Sequence, residues 1–136
     1  MRLKRVHHVA IIASDYEKSK KFYVEILGLT VVRETYRAER DSFKLDLVLA
    51  DGTQIELFSF PDAPARPTRP EACGLRHLAF DIDDMDCYVE ELKRRGIEVE
   101  NVRVDTLTGQ RYTFFFDPDG LPLELYEKKD DINIKL

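Results

Sequence analysis

Two histidines and two glutamates recur at matching intervals in the two halves of this 136-residue chain. His8 precedes Glu56 by 48 residues, and His77 precedes Glu124 by 47. Alone, each histidine would more often be structural and each glutamate solvated. Together, two imidazole nitrogens and two carboxylate oxygens match the ligand preferences of a divalent Ni, Co, Zn, Mn or Fe ion. The spacing therefore predicts one metal ion, held by these four residues.

The neighbours of the two glutamates explain why a cation is needed. Side chains alternate along a strand, so Glu56 shares a face with Phe58 and Phe60, and Glu124 shares one with Tyr126. A carboxylate desolvated among aromatic rings without a counter-charge costs several kcal/mol. A divalent cation supplies that charge, whereas neutral imidazoles do not.

Each half of the chain has the same succession of elements. An apolar strand, 6–13 or 75–82, meets an aspartate, Asp15 or Asp84, placed to cap a helix that ends at Gly28 or Gly96. The segments DGTQIELF and DGLPLELY also match between the halves. Alternating runs predict three further strands per half, at 30–37, 43–50 and 54–60, then at 98–104, 111–116 and 122–127. The pattern predicts two tandem βαβββ modules, an α+β fold.

The modules are predicted to form one domain. Module one spans about 4–60 and module two about 74–128, with a proline-rich linker at 61–73 and a charged tail at 129–136. Prolines at every third position of the linker are typical of a polyproline II helix. A connector between modules is favoured over an SH3-type ligand, because a prolyl segment spans distance at low entropic cost.

Composition excludes several classes of function. A formal charge of −5 gives no basic excess for nucleic-acid binding. The first apolar run ends after about five residues, too short for a signal peptide, and no run approaches the ~20 needed to span a membrane. We expect a cytoplasmic protein whose two cysteines, Cys73 and Cys87, are reduced and mostly buried.

Other catalytic motifs do not occur in the sequence. It has no GxSxG, Walker A or GxGxxG segment, and a hydrolase triad would have to use one of the same three histidines. His7 is predicted to lie on the strand face opposite His8 and is interpreted as structural.

The segments VHHVAIIASDYEKSKKFYVEILGL, IELF, RHLAFDIDD and FFFDPDGLPLELYE resemble the vicinal oxygen chelate superfamily, over essentially the whole chain. This resemblance implies a cup-shaped mixed sheet around a metal, with His8, Glu56, His77 and Glu124 at the ligand positions. The His, Glu, His, Glu set is similar to bacterial glyoxalase I. Dioxygenases of the superfamily use three ligands, and its epimerases usually have Gln at the second position.

The resemblance implies a metal-dependent lyase or isomerase of the glyoxalase I type, with Glu124 as the catalytic base for proton transfer next to a carbonyl. The alternatives are an epimerase or dioxygenase of the same superfamily, or a non-catalytic resistance protein that binds a small molecule. Ile12 and Phe60 stand where glyoxalase I has an Arg and an Asn for glutathione, so the resemblance does not extend to glutathione recognition and leaves the substrate open.

The remaining predictions concern the substrate-binding residues and the assembly of the chains. The predicted substrate-binding residues are Phe58, Phe60, Arg37, Arg69, Arg111 and Tyr126, and Arg40 is a further candidate for binding an anion. Open sheet edges favour association, and the resemblance implies a homodimer in which each metal site takes His8 and Glu56 from one chain and His77 and Glu124 from the other.

Overall fold

The computed structural model describes residues 1–128, so the predicted charged tail at 129–136 lies outside the described residues. The chain divides into two compact units, the first ending at Arg66 and the second starting at Pro67. The boundary between the units falls within the predicted proline-rich linker.

The first unit contains one complete βαβββ module. Its elements are β1 (His8–Ala13), α1 (Tyr16–Lys21), a π-helical turn (Phe22–Ile26), β2 (Thr30–Arg37), a 3₁₀ turn (Ala38–Arg40), β3 (Ser42–Val48) and β4 (Gln54–Ser59). The strand order is β1-β4-β3-β2. Strand β1 is parallel to β4, and the other two pairings are antiparallel.

The second unit repeats this arrangement. Its elements are β5 (Leu78–Ile82), α2 (Met85–Arg94), β6 (Arg103–Val104), β7 (Arg111–Phe116) and β8 (Pro122–Glu127). The strand order is β5-β8-β7-β6, again with one parallel and two antiparallel pairings. The predicted α+β fold with tandem βαβββ modules is confirmed.

The two faces of the first sheet differ in burial. Leu45, Leu47, Ile55 and Leu57 are at most 1% exposed, and α1 contacts β4 on this side. Strand alternation places the intervening residues, Glu56 among them, on the other face. The second sheet follows the same rule, with Phe115, Leu123 and Leu125 buried on the side that α2 contacts.

The helices begin and end where the sequence predicts. Asp15 accepts a hydrogen bond from the backbone N–H of Lys18, and Asp84 accepts one from that of Cys87. Gly28 and Gly96 follow the helices with φ of 75° and 81°, a left-handed conformation that glycine adopts without steric cost.

Several strand boundaries differ from the prediction, and β1 begins at His8 rather than at residue 6. Strand β5 begins at Leu78, so His77 directly precedes it. The predicted strand at 98–104 retains only Arg103–Val104 as a ladder. Three residues before β6, the N–H of Glu100 donates to the carbonyl of Phe114 as in a ladder. The Glu100 carbonyl, however, accepts a hydrogen bond from the Thr113 hydroxyl. A side chain thus occupies this acceptor in place of a ladder N–H.

The prediction that the cysteines are mostly buried is wrong. Cys73 and Cys87 are both free and exposed. Cys73 lies in the linker, and Cys87 lies in the first turn of α2, near the cap residue Asp84.

None of the helices within residues 1–128 is long and apolar enough to cross a bilayer.

Candidate metal centre

In module one, His8 and Glu56 come together on the face opposite the helix. Parallel pairing of β1 with β4 sets Ala10 beside Glu56, so His8 lies on the same face one alternation earlier. The His8 Nε2 atom is 3.5 Å from the Glu56 Oε2 atom. Glu56 is only 13% exposed at its side chain, whereas His8 is 42% exposed.

His7 contacts the ring of His8, which the sequence analysis did not anticipate. The two Nδ1 atoms are 2.9 Å apart, and the rings meet edge to face. His7 precedes the first residue of β1, so strand alternation does not fix its direction. A hydrogen bond between the Nδ1 atoms leaves Nε2 of His8 as the atom that faces Glu56. In metal sites, a residue that hydrogen-bonds the other ring nitrogen of a histidine ligand orients that ligand.

In module two, His77 and Glu124 form the equivalent pair. The His77 Nε2 atom is 2.9 Å from the Glu124 Oε2 atom, and their side chains are 26% and 11% exposed. The His77 ring packs edge to face against Phe114, at 5.2 Å between centroids. Phe114 is also the cross-strand partner of Glu124.

The spacing within each pair suits two neighbouring ligands of one cation. Nitrogen and oxygen ligands at about 2.1 Å from a metal, separated by about 90–110°, are roughly 3.0–3.4 Å apart. The pairs measure 3.5 and 2.9 Å. Within residues 1–128, no group of three or more His, Cys, Asp or Glu side chains forms a metal site. Each unit by itself therefore offers two ligands, and their combination around one metal stays a prediction.

A chain of charges extends from Glu56 across module one. Lys44 Nζ lies 3.7 Å from Glu56 Oε1 and 3.2 Å from Asp46 Oδ1, and Arg33 Nε lies 3.7 Å from Asp46 Oδ2. Asp46 is the cross-strand partner of Glu56. The sequence analysis missed Lys44 and Asp46, although their alternation with the buried Leu45 places them on the ligand face.

The cross-strand neighbours of Glu124 are aromatic, and Arg76 interacts with it electrostatically. The strand positions that hold Asp46 and Lys44 in module one hold Phe114 and Tyr112 in module two. Tyr112 stacks on Tyr126 at 6.5 Å, and Arg103 lies over the rings of Tyr112 and Phe114. The Tyr126 hydroxyl is 2.9 Å from Asp105 Oδ2 and 2.5 Å from Thr108 Oγ1.

Three of the predicted substrate-binding residues lie together in module one. Phe58 and Phe60 stack at 6.0 Å between centroids, and the Arg37 guanidinium lies over both rings. Phe58 lies two residues beyond Glu56 on the same strand, so this cluster adjoins the metal-ligand pair.

The other two predicted substrate-binding arginines lie elsewhere. Arg69 is exposed in the linker. Arg111 lies on the helix side of its sheet, where it donates two hydrogen bonds to Glu127, of 3.0 and 2.9 Å, and one of 3.2 Å to Asp86. Arg111 and the N–H of Met85 hold the pKa of Glu127 below its usual range. These contacts indicate a structural role for Arg111, anchoring α2.

Comparison with known proteins agrees with this architecture. An uncharacterised protein of Bacillus subtilis strain 168, YwkD, is 65% identical over 128 residues, 94% of this chain and 100% of the relative. An uncharacterised protein of Escherichia coli K12, YaeR, is 60% identical over 93% of this chain and 98% of its own length. The crystal structure of a glyoxalase family protein from Enterococcus faecalis superimposes with a TM-score of 0.87, at 53% identity, over 93% of this chain and 100% of that one.

More distant relatives include proteins named as an epimerase, a ring-cleaving dioxygenase and a lactoylglutathione lyase, at 24–30% identity. The family model described as Glyoxalase/Bleomycin resistance protein/Dioxygenase superfamily matches residues 5–125. The chain therefore belongs to this superfamily.

Proposed function

We propose that the protein is a metal-dependent lyase or isomerase of the glyoxalase I type, which moves a proton at the carbon next to a carbonyl. The observation that carries the proposal is the repeated His–Glu pair, with an imidazole nitrogen 3.5 or 2.9 Å from a carboxylate oxygen. His8, Glu56, His77 and Glu124 would hold the ion. A bound divalent cation would supply Lewis-acid polarisation of the carbonyl.

Glu124 is the residue we assign as the base. It is buried, its cross-strand partner is Phe114, and no ammonium group occupies the position that Lys44 has beside Glu56. A general base must turn towards the substrate proton, and a carboxylate without a lysine at this position is less restrained from doing so. Phe114 and Tyr126 would keep water away from the reacting carbon.

Glu56 is assigned a holding role. Its Oε2 atom faces His8 and its Oε1 atom faces Lys44, so both oxygens have fixed neighbours. A carboxylate held at both oxygens is poorly placed to move towards a substrate proton.

Metal analysis is the direct test of the site. Purified protein should contain close to one divalent ion per pair of modules, and Glu56→Ala and His77→Ala should each lose most of it. Glu98→Ala, which removes an exposed carboxylate outside the site, is the matched control and should retain the metal. Equally poor binding of added Ni, Co and Zn by wild type and all variants would contradict the assignment.

Proton exchange tests the chemistry. Wild-type protein should exchange the α-hydrogen of its substrate class with deuterated solvent, in a screen of methylglyoxal adducts of several thiols and acyl-CoA thioesters. Exchange should disappear when the metal is removed by a chelator. A protein that binds metal but exchanges no α-hydrogen in the screen would instead support the non-catalytic binding function.

We also propose a homodimer in which His8 and Glu56 of one chain act with His77 and Glu124 of the other. Mixing His8→Ala with Glu124→Ala protein should restore one complete site in the mixed dimer. Failure to recover metal after proven subunit exchange would reject the shared site.

The two free cysteines fit the reducing cytoplasm in which we expect the protein to act.

A further inference from the structure

The aromatic pair next to Glu56 carries two arginines. Arg37, the last residue of β2, has its guanidinium carbon 5.1 Å from the Phe58 centroid and 5.8 Å from the Phe60 centroid. Arg40, in the 3₁₀ turn that follows, has its guanidinium carbon 4.8 Å from the Phe60 centroid. Two cations therefore share one aromatic ring. We call Arg37, Arg40, Phe58 and Phe60 the arginine platform.

The positive charges of the platform are not neutralised within the described part of the chain. Among residues 1–128, no carboxylate lies within ion-pair distance of Arg37 or Arg40, whereas Arg33, Arg103 and Arg111 each have a carboxylate partner. Like charges close together repel, and removal from water strengthens the repulsion. Folding thus brings together two cations that an anion would stabilise.

Arg37 also has hydrogen-bonding capacity left over. Its Nη2 atom donates to the Ser42 hydroxyl at 3.1 Å, which fixes the plane of the guanidinium. Its Nε atom is buried and has no hydrogen-bond partner in the described residues. A buried donor without a partner is unfavourable, so such a group in a native fold calls for a ligand or water.

The chemistry of the platform favours a planar or tetrahedral oxyanion. Ser42 takes one N–H group of Arg37, and the remaining N–H groups of Arg37 and Arg40 are donors of the kind that match the oxygens of a carboxylate or phosphate. A neutral or cationic group would leave both positive charges uncompensated.

We propose that Arg37 and Arg40 form an anion subsite that binds a carboxylate or phosphate group of the small-molecule substrate. Phe58 is two residues beyond Glu56, about 7 Å along the strand. If the proposed function holds, the substrate is a small acid or phosphate ester whose anionic group lies several bonds from the carbonyl where the proton moves. This last step rests on the proposed function, but the anion subsite itself does not.

Anion titration tests the subsite without requiring turnover. Inorganic phosphate and succinate are added separately to the full-length protein, as purified and after chelator treatment, and amide chemical shifts are followed by NMR. Wild type should show saturable shifts around β2, β4 and the 3₁₀ turn with at least one anion. The anion that binds more tightly identifies phosphate or carboxylate as the substrate's group.

Matched variants distinguish a specific anion-binding site from nonspecific attraction of anions to positive charge. Arg37→Gln and Arg37→Lys should each weaken anion binding about tenfold, since lysine keeps the charge but lacks the planar fork. Arg33→Gln removes the same charge from the same strand but lies beside Asp46, so it should change anion affinity less than twofold. Circular dichroism checks that every variant is folded.

Two results would overturn the proposal: no saturable binding of either anion, or equal weakening in Arg33→Gln and Arg37→Gln. Arg37→Gln should retain wild-type metal content, because Arg37 is outside the ligand set. Loss of the metal site with intact anion binding would reject the proposed function and leave the anion subsite standing.

Discussion

Module one and module two present equivalent His–Glu pairs in different surroundings. In module one, Glu56 lies next to Lys44 and pairs across the strands with Asp46. In module two, tyrosine and phenylalanine occupy the corresponding positions, Tyr112 and Phe114. Because β3 pairs with β4 in the same register as β7 pairs with β8, the difference at these positions lies in the side chains of β3 and β7. A duplicated scaffold can thus give two glutamates different chemistry.

In module one a lysine and a histidine lie beside the carboxylate, whereas in module two aromatic side chains stand at the corresponding strand positions. A neighbouring lysine restrains a carboxylate, whereas a general base must be able to reach the substrate proton. We therefore assign holding of the metal to Glu56 and proton transfer to Glu124. Four substitutions, each with a counterpart at the equivalent position of the other module, test the differences between the modules.

The largest effect is expected when each of the two glutamates is replaced, one at a time, by glutamine. Glu124→Gln should lower α-proton exchange per bound metal by about 10²–10⁴-fold, the range typical of loss of a general base, and should retain much of the metal. Glu56→Gln should lose metal affinity while keeping more of the exchange rate per bound metal. Solvent deuterium incorporation and metal content measure both quantities. A reversed pattern would move the base to module one.

The next effect concerns the residue before each histidine. His7→Ala should weaken metal binding about 10–100-fold, because it removes the hydrogen bond that orients the His8 ring. Arg76→Ala is the counterpart in module two; Arg76 pairs with Glu71 and is a cation near Glu124, so its removal should not weaken metal binding. Competition with a chelator of known affinity gives both values. Equal losses would show that His7 has no special role.

A third effect is on stability and tests the helix side of the two sheets. Glu127→Gln should lower the free energy of unfolding by about 1–2 kcal/mol near pH 7, since it breaks the charged pair with Arg111. Ser59 occupies the equivalent position, where its hydroxyl accepts from the N–H of Phe43. Ser59→Ala should cost less. Urea unfolding with a fixed m-value provides the comparison.

The pH dependence of that third effect has a definite sign. The pKa of Glu127 is lowered in the folded state, so its ionisation stabilises the fold above the ordinary glutamate pKa of about 4.3. This contribution is lost as the pH falls through the lowered value. The stability difference between wild type and Glu127→Gln should therefore be largest near neutrality and shrink below about pH 4. A constant difference from pH 7 to pH 3 would contradict it.

The smallest effect is expected from Lys44. Lys44→Met removes a cation that competes with the metal for Glu56, so metal affinity should rise by a few-fold at low salt, as for a partly exposed ion pair. The rise should fade as ionic strength increases. Tyr112→Phe, at the equivalent position, should not change the affinity. Weaker metal binding in Lys44→Met would instead make Lys44 a support for the site.

The repeat made much of this molecule predictable. Asp15 and Asp84 cap helices, and Gly28 and Gly96 end them, because these signals act over a few residues and depend little on the rest of the fold. Strand alternation correctly placed Glu56 on the face opposite the buried leucines. The extent of β6 was not predictable, since a strand at a sheet edge depends on which partner its carbonyls find.

The side chains around the ligands were harder to predict. The contact between the His7 and His8 rings was not predicted, because strand alternation was extended one residue beyond the strand. Arg37 and Arg111 looked alike in the sequence. Only the register of their sheets separates them, placing one over Phe58 and the other against Glu127 on the helix side.

The sequence by itself determined the two βαβββ modules and the four candidate ligands, because local periodicity and internal repetition are properties of the chain. Tertiary structure decided which charges surround each glutamate and which arginines remain without a carboxylate. Those properties depend on cross-strand register, which brings residues such as Asp46 and Glu56, or Phe114 and Glu124, side by side from separate strands.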